Sequence, residues 1–201
     1  MLIVFARAPV PGEVKTRLAP LLGAHGAAAL QAELVARALR TALLARCARV
    51  ELHGSPHARH PFFLDCARRH GVRLRAQGAG DLGARMRRAF ERALACAPCA
   101  VLIGSDCPSL RPEDLRAAVH ALQHGAQAVC APTEDGGYAL VGLRRSARAL
   151  FAGIPWGEAR VFAATRRRLA RLGWRWQRLR TVWDVDRPAD YERLERARLL
   201  E

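Results

Sequence analysis

Short apolar runs alternate with helix-period segments along nearly the whole chain, and that alternation leaves few folds open. "LIVFA" (2–6) and "AVLIG" (100–104) are unbroken apolar runs of strand length, so both read as buried strands. Leu30, Leu34, Val35, Leu39 and Leu43 recur at helical spacing and predict a long amphipathic helix ending near Cys47. "RVELHG" (49–54) predicts a strand, "FFLDCARRHG" (62–71) a helix stopped by Gly71, "VRLRAQ" (72–77) a half-exposed strand, and "GARMRRAFERALAC" (83–96) a helix. After "AVLIG" come a helix over 111–125, strands "QAVCAP" (127–132) and "YALVGL" (138–143), and a helix from about Glu158 to Leu172. "WQRLRTVWDV" (176–185) reads as extended, and "RPADYERLERARLL" (187–200) as a closing helix. Strand and helix in turn predict an α/β sheet covered by helices. No repeat or long linker interrupts the pattern, so one domain over 1–201 is expected.

Composition removes several classes. Half of the residues are hydrophobic, which excludes a disordered chain. No apolar stretch approaches the roughly 20 residues of a membrane-spanning helix. "MLIVFA" is followed too soon by Arg7 to read as a secretory leader, so a cytoplasmic protein is expected. Cys96 and Cys99 form one CxxC, and no second pair exists to complete a zinc ribbon. The net charge of +15 permits acidic substrates or nucleic acid without choosing between them. Of the 33 basic residues only Lys15 is lysine.

In open α/β sheets ligands gather at the carboxyl ends of the strands, so the loops there carry the candidate chemistry. The loop after "LIVFA" brings together Arg7, Gly12, Lys15 and Arg17, with Lys15 and Arg17 expected at a helix start where anions are favoured. Val14 before the lysine excludes a Walker A loop. "QGAGDLG" (77–83) matches G-x-G-x-x-G, but the half-polar strand before it argues against a dinucleotide fold. Asp106 ends the most buried strand, where it either holds a hard cation beside phosphates or caps the helix that follows. Asp184 and Asp186, two apart on an extended segment, point to one side; one of them could complete the cation site, or a neighbour could cap the last helix. Glu134 and Asp135 precede paired glycines in a turn that presents an acid or simply closes a hairpin. "RRRLARLGWRWQRLR" (166–180), with arginines between Trp174 and Trp176, keeps a nucleic-acid reading open, against the alternative of a buried helix face and strand.

Taken in order, "FARAPVPGEVKTRLAP", "GDLGARM", "GSDCPSL", "PTEDGGYALVGL" and "WDVDRPADYERL" resemble the bacterial radical-SAM/selenodomain-associated transferases, often described as glycosyltransferase-like. The resemblance covers nearly the whole chain. "KTRLAP" is also similar to 2-phospholactate guanylyltransferases. The resemblance implies a nucleotide-diphospho-sugar transferase fold of GT-A type, a Rossmann-like α/β/α sandwich. It implies that Arg7, Lys15 and Arg17 hold nucleotide phosphates, that Gln77 and the Gly78 to Gly83 loop face the base, and that Asp106 and Asp186 hold magnesium or manganese. Arg187 stands where threonine is common in that pattern, and "PWGEARV" (155–161) departs from the usual "WST" stretch. The expected partners are a nucleotide sugar or nucleoside triphosphate and a small-molecule acceptor. The expected reaction is metal-dependent glycosyl transfer, with nucleotidyl transfer releasing pyrophosphate as the alternative.

Overall fold

The computed structural model describes residues 1–200 and places one seven-stranded sheet through the molecule. The strands are β1 (Leu2–Arg7), β2 (Val50–Ser55), β3 (Arg73–Ala76), β4 (Ala100–Gly104), β5 (Ala128–Pro132), β6 (Tyr138–Leu143) and β7 (Trp176–Arg178). Their order is β3-β2-β1-β4-β6-β5-β7. β6 runs antiparallel to β4 and β5, and every other pair is parallel. This is the Rossmann-like α/β arrangement expected from the alternation.

The period-2 geometry of the strands divides the core in two. Leu2, Val4, Val101 and Ile103 point to one face, against α1 (Ala19–Ala45), α2 (Pro61–His70) and α4 (Pro112–Gln123). Ile3, Phe5, Ala100 and Leu102 point to the other, against α3 (Leu82–Leu94), α5 (Arg148–Phe151) and α6 (Val161–Arg171). A third small cluster joins Leu18, Leu30 and Leu34 to Val185 and Leu194 of the closing segment and α7 (Pro188–Ala197). It fixes the end of the chain beside the loop that follows β1.

Three local readings change. The helix start expected at Lys15 is a 3₁₀ turn over Thr16–Leu18, and α1 begins at Ala19. Gly23, at φ +70°, then breaks the first turn of α1 from the rest. The four residues of α5 were too few to carry a period in the sequence. Of "WQRLRTVWDV", only Trp176–Arg178 joins the sheet. The remainder is laid across the carboxyl ends of β5 and β4: Val182 N–H donates to Pro132 O, Glu134 N–H to Val182 O, and Val185 N–H to Asp106 O at 2.9 Å. Ser109 donates to Trp183 O and accepts from Trp183 N–H.

Arg180 holds this segment against α4. Its guanidinium donates to both carboxylate oxygens of Asp114, at 2.7 and 2.6 Å, and to Ser109 O. Asp114 is buried and also accepts from Arg111 N–H at the start of α4. Removing Arg180 strands that carboxylate, whereas the Arg193–Glu134 pair is exposed on both sides and contributes little. Urea denaturation is expected to show a loss of about 2 kcal/mol for Arg180→Ala and under about 0.5 kcal/mol for Arg193→Ala.

Candidate functional site

The loop from Ala8 to Arg17 turns back over the sheet because two prolines and Gly12, at φ +80°, set its path. It delivers Lys15 in the left-handed region, φ +48° and ψ +37°, an uncommon conformation for a residue with a Cβ. The side chain is only 7% exposed. Its ammonium donates to Asp106 Oδ1 at 2.5 Å and to Val185 O at 2.7 Å. Three remote pieces of chain therefore meet at one nitrogen: the β1 loop, the end of β4 and the closing segment. Backbone strain kept at a buried charged residue marks a site where geometry is held for function.

Around this point the carboxyl ends of β1, β2, β3 and β4 enclose a cleft of about 630 Å³. Arg7, Lys15, Arg17 and Arg85 give it a basic wall. Arg17 pairs with Asp186 across the mouth. Arg85 donates to Gly80 O at 2.7 Å and so ties the glycine loop to the cleft. Gln77, 5% exposed, spends its amide nitrogen on Ala6 O and His53 O and keeps Oε1 as an acceptor at the cleft wall.

A second chamber of about 320 Å³ opens on the far side of Asp106. Asp106, Asp135 and Asp184 line both spaces. Asp135 Oδ1 accepts from Thr133 Oγ1 at 2.5 Å and from Gly137 N–H at 3.0 Å, an Asx turn that aims the carboxylate. Asp184 is the most perturbed of the acids. Burial, then the charges of Asp135 and Asp106, raise its pKa to about 6, with Lys15 opposing. Burial also pushes the Cys107 thiol up, so at neutral pH it is a protonated wall and not a nucleophile.

The residues singled out in the sequence divide accordingly. Arg7, Lys15, Arg17, Gln77, Asp106, Asp135 and Asp186 come together at the cleft. Gly12 and Gly78 shape loops, with φ of +80° and +84°, and do not line it. Gly83 serves contact between elements: a Cβ there would lie 2.7 Å from Trp156 Nε1 and 2.6 Å from Phe151 O. Glu134 turns away and pairs with Arg193. Asp106 caps no helix, since Asp114 caps α4 and Asp190 caps α7. Trp174 is buried, and Trp176 is half-buried and set edge to face against Phe162, which fits the alternative of a buried face and strand. Sequence reasoning missed Arg85, and it marked the stretch 155–161 only as a departure from the family pattern without naming Trp156 or Glu158. The i, i+4 relation of Arg85 to the cap residue Asp81 was the one available signal.

Among the described residues no three His, Cys, Asp or Glu side chains converge closely enough to hold a metal unaided. Asp106, Asp184 and Asp186 nevertheless supply hard oxygens beside a basic wall. Such a set fits a magnesium-like cation that takes its other ligands from phosphates. The raised pKa of Asp184 follows from its burial first and from the charges of Asp135 and Asp106 second.

The comparisons with known proteins agree with this layout. Residues 38–158 match the model of a family described as "Uncharacterized protein conserved in bacteria (DUF2064)". No curated protein matches the chain. A solved structure from Desulfovibrio desulfuricans G20, described as a candidate nucleotide-diphospho-sugar transferase, is 32% identical with a TM-score of 0.83, covering 92% of this chain and 81% of that one. CMP:2-keto-3-deoxy-manno-octonic acid synthetase, solved with CTP, superposes with a TM-score of 0.63 at 13% identity, over 98% of this chain and 97% of that one. Glucosyl-3-phosphoglycerate synthase from Mycobacterium tuberculosis, solved with Mn²⁺, UDP and glucosyl-3-phosphoglycerate, superposes with a TM-score of 0.53 at 13% identity, over 100% and 77%. At that identity the last two establish the fold alone.

The Asp184 environment gives a stability prediction. The folded state holds this proton more tightly than the unfolded chain, whose value is near 3.8, so stability falls as pH rises through the interval up to about 6. With divalent cations chelated, Asp184→Asn is expected to be more stable than wild type at pH 7.5 by about 1 kcal/mol after allowance for solvent screening. The gain should vanish near pH 4. Thermal melts at the two pH values read both.

Proposed function

The chain belongs to the DUF2064 family, and from that premise we propose that it is a metal-dependent transferase that uses a nucleotide-activated donor, with a nucleotide sugar as donor and glycosyl transfer as the reaction. One observation carries the reading. The two chambers that meet at Asp106, Asp135 and Asp184 differ in their cations: one sets four basic side chains beside its carboxylates, and the other has carboxylates and no lysine or arginine. The basic chamber suits the diphosphate of the donor. The other suits an acceptor without a phosphate of its own.

Arg7, Lys15 and Arg17 hold the donor phosphates, the forked guanidinium groups and the point charge of lysine covering different oxygens. Gln77 accepts a hydrogen bond from the base. Asp106 and Asp186, with Asp184 beside them, hold a divalent cation, magnesium or manganese. When bound, that cation supplies charge neutralisation to the leaving diphosphate. The protein's own part is orientation and proton movement. The acceptor hydroxyl oxygen forms a bond to the anomeric carbon, the bond from that carbon to the phosphate oxygen breaks, and the nucleoside diphosphate leaves with the electron pair. The hydroxyl proton passes to the Asp135 carboxylate, which the Asx turn fixes at the junction of the chambers. Lys15 leaves Asp106 for the leaving group's oxygens.

Nucleotidyl transfer is the second reading. Lys15 and Arg17 favour it, because pyrophosphate departure calls for concentrated positive charge. A phosphorylated acceptor would find no lysine or arginine in the second chamber, whereas a hydroxyl acceptor would suit either reaction.

A thermal-shift panel of nucleoside diphosphates, triphosphates and nucleotide sugars, each with and without magnesium, tests the reading. A magnesium-dependent rise in melting temperature is expected for nucleotide sugars of one base. Lys15→Ala and Asp106→Ala should each weaken that binding at least tenfold. No stabilisation by any nucleotide would sink the proposal, and stabilisation by triphosphates alone would favour the second reading.

A further inference from the structure

The second chamber is chemically out of keeping with the chain that builds it. The protein has 33 basic residues against 18 acidic ones. Yet the chamber is lined by four carboxylates, Asp106, Asp135, Glu158 and Asp184, and by no lysine or arginine. Asp106 is answered by Lys15. Among the described residues neither Asp135 nor Glu158 has a basic partner, although arginines crowd the neighbouring helix α6. In a chain of this composition a random wall would contain several cations.

The remaining walls are apolar and aromatic. Leu82, Met86, Leu102 and Phe5 line one side, and Trp156 and Tyr138 another. The indole and the phenol ring meet edge to face at 6.4 Å and 87°, so the two rings hold one another in place. Gly83 admits the indole, since any Cβ would strike it. The space is about 320 Å³, room for about ten water-sized groups at roughly 30 Å³ each.

We infer that this chamber takes a hydroxyl-bearing acceptor that carries a positive charge, its cation beside Glu158 and its apolar body against Trp156, Leu82 and Met86, which leaves Asp135 to the hydroxyl. A cation gains from carboxylates and from aromatic faces together, and it gains most where the walls exclude water. An anion meets only like charge there. The inference rests on the transferase reading for the word acceptor, but its charge preference follows from the walls alone.

Three probes share a phenol ring on a short tail, are of closely similar size, and end in a cation, a neutral hydroxyl and an anion: tyramine, tyrosol and 4-hydroxyphenylacetate. Their affinities for the full chain, measured by saturation-transfer NMR titration in magnesium buffer, are expected to fall in that order. Tyramine should bind at least tenfold more tightly than 4-hydroxyphenylacetate. Glu158→Gln, which lies outside the basic chamber, should narrow the ratio to under threefold and leave nucleotide stabilisation unchanged. Equal or tighter binding of the anion, a ratio unaffected by Glu158→Gln, or no binding of any probe at millimolar concentration would overturn the inference. Failure of the nucleotide panel with the charge order intact would count against the transferase reading alone.

Discussion

One nitrogen, Lys15 Nζ, joins the three pieces of chain on which the site depends. It bonds to Asp106 at the end of β4 and to the carbonyl of Val185 in the closing segment, from a loop that leaves β1. The loop accepts a left-handed backbone at a non-glycine residue to bring it there. Glycine at 15 would relax the backbone and lose the ammonium, so the strain is a cost of the contact. Lys15 is the buried member of this pair and Asp106 the half-exposed one, so the carboxylate answers an ammonium that would be costly to bury alone. A ligand that brings both phosphate and a cation can replace this pair on both sides at once. On the proposed function, the Lys15–Asp106 pair stands where a phosphate and a cation would bind.

From that contact the rest of the site follows in layers. Leu18, Leu30, Leu34, Val185 and Leu194 clamp the closing segment beside the β1 loop. Arg180 and Ser109 stitch the same segment to α4 and the β4 loop. Asp184 is thereby held half-buried near Asp106 and Asp135, and that burial first, then the two neighbouring charges, raise its proton affinity. On the basic wall, Lys15 and Arg17 are each answered by a carboxylate of the same cleft, Asp106 and Asp186.

The sheet and most helices were legible in the sequence because their signals are local. "LIVFA" and "AVLIG" carry strand length and burial in themselves, and both are buried strands. The α5 turn and the path of residues 179–186 were not legible, since neither has a period and both are fixed by tertiary hydrogen bonds. Within the site, Lys15 and Asp106 stood out by position, one as the sole lysine and the other at a strand end. Arg85, Trp156 and Glu158 did not, because only the fold turns α3 and the 154–160 loop toward the cleft. Glu134 and Asp135 show the limit most plainly. They are neighbours in one turn, and the backbone sends one to Arg193 and the other into the site.

The central claim is that phosphate and a divalent cation together displace Lys15 from Asp106. Crystals grown with manganese and the nucleoside diphosphate that stabilises the protein most would test it directly, read by anomalous scattering at the manganese edge. The account predicts an anomalous peak among Asp106, Asp184 and Asp186, with Lys15 Nζ moved onto a phosphate oxygen. A nucleotide bound with Lys15 still paired to Asp106, or manganese seated away from these carboxylates, would contradict it.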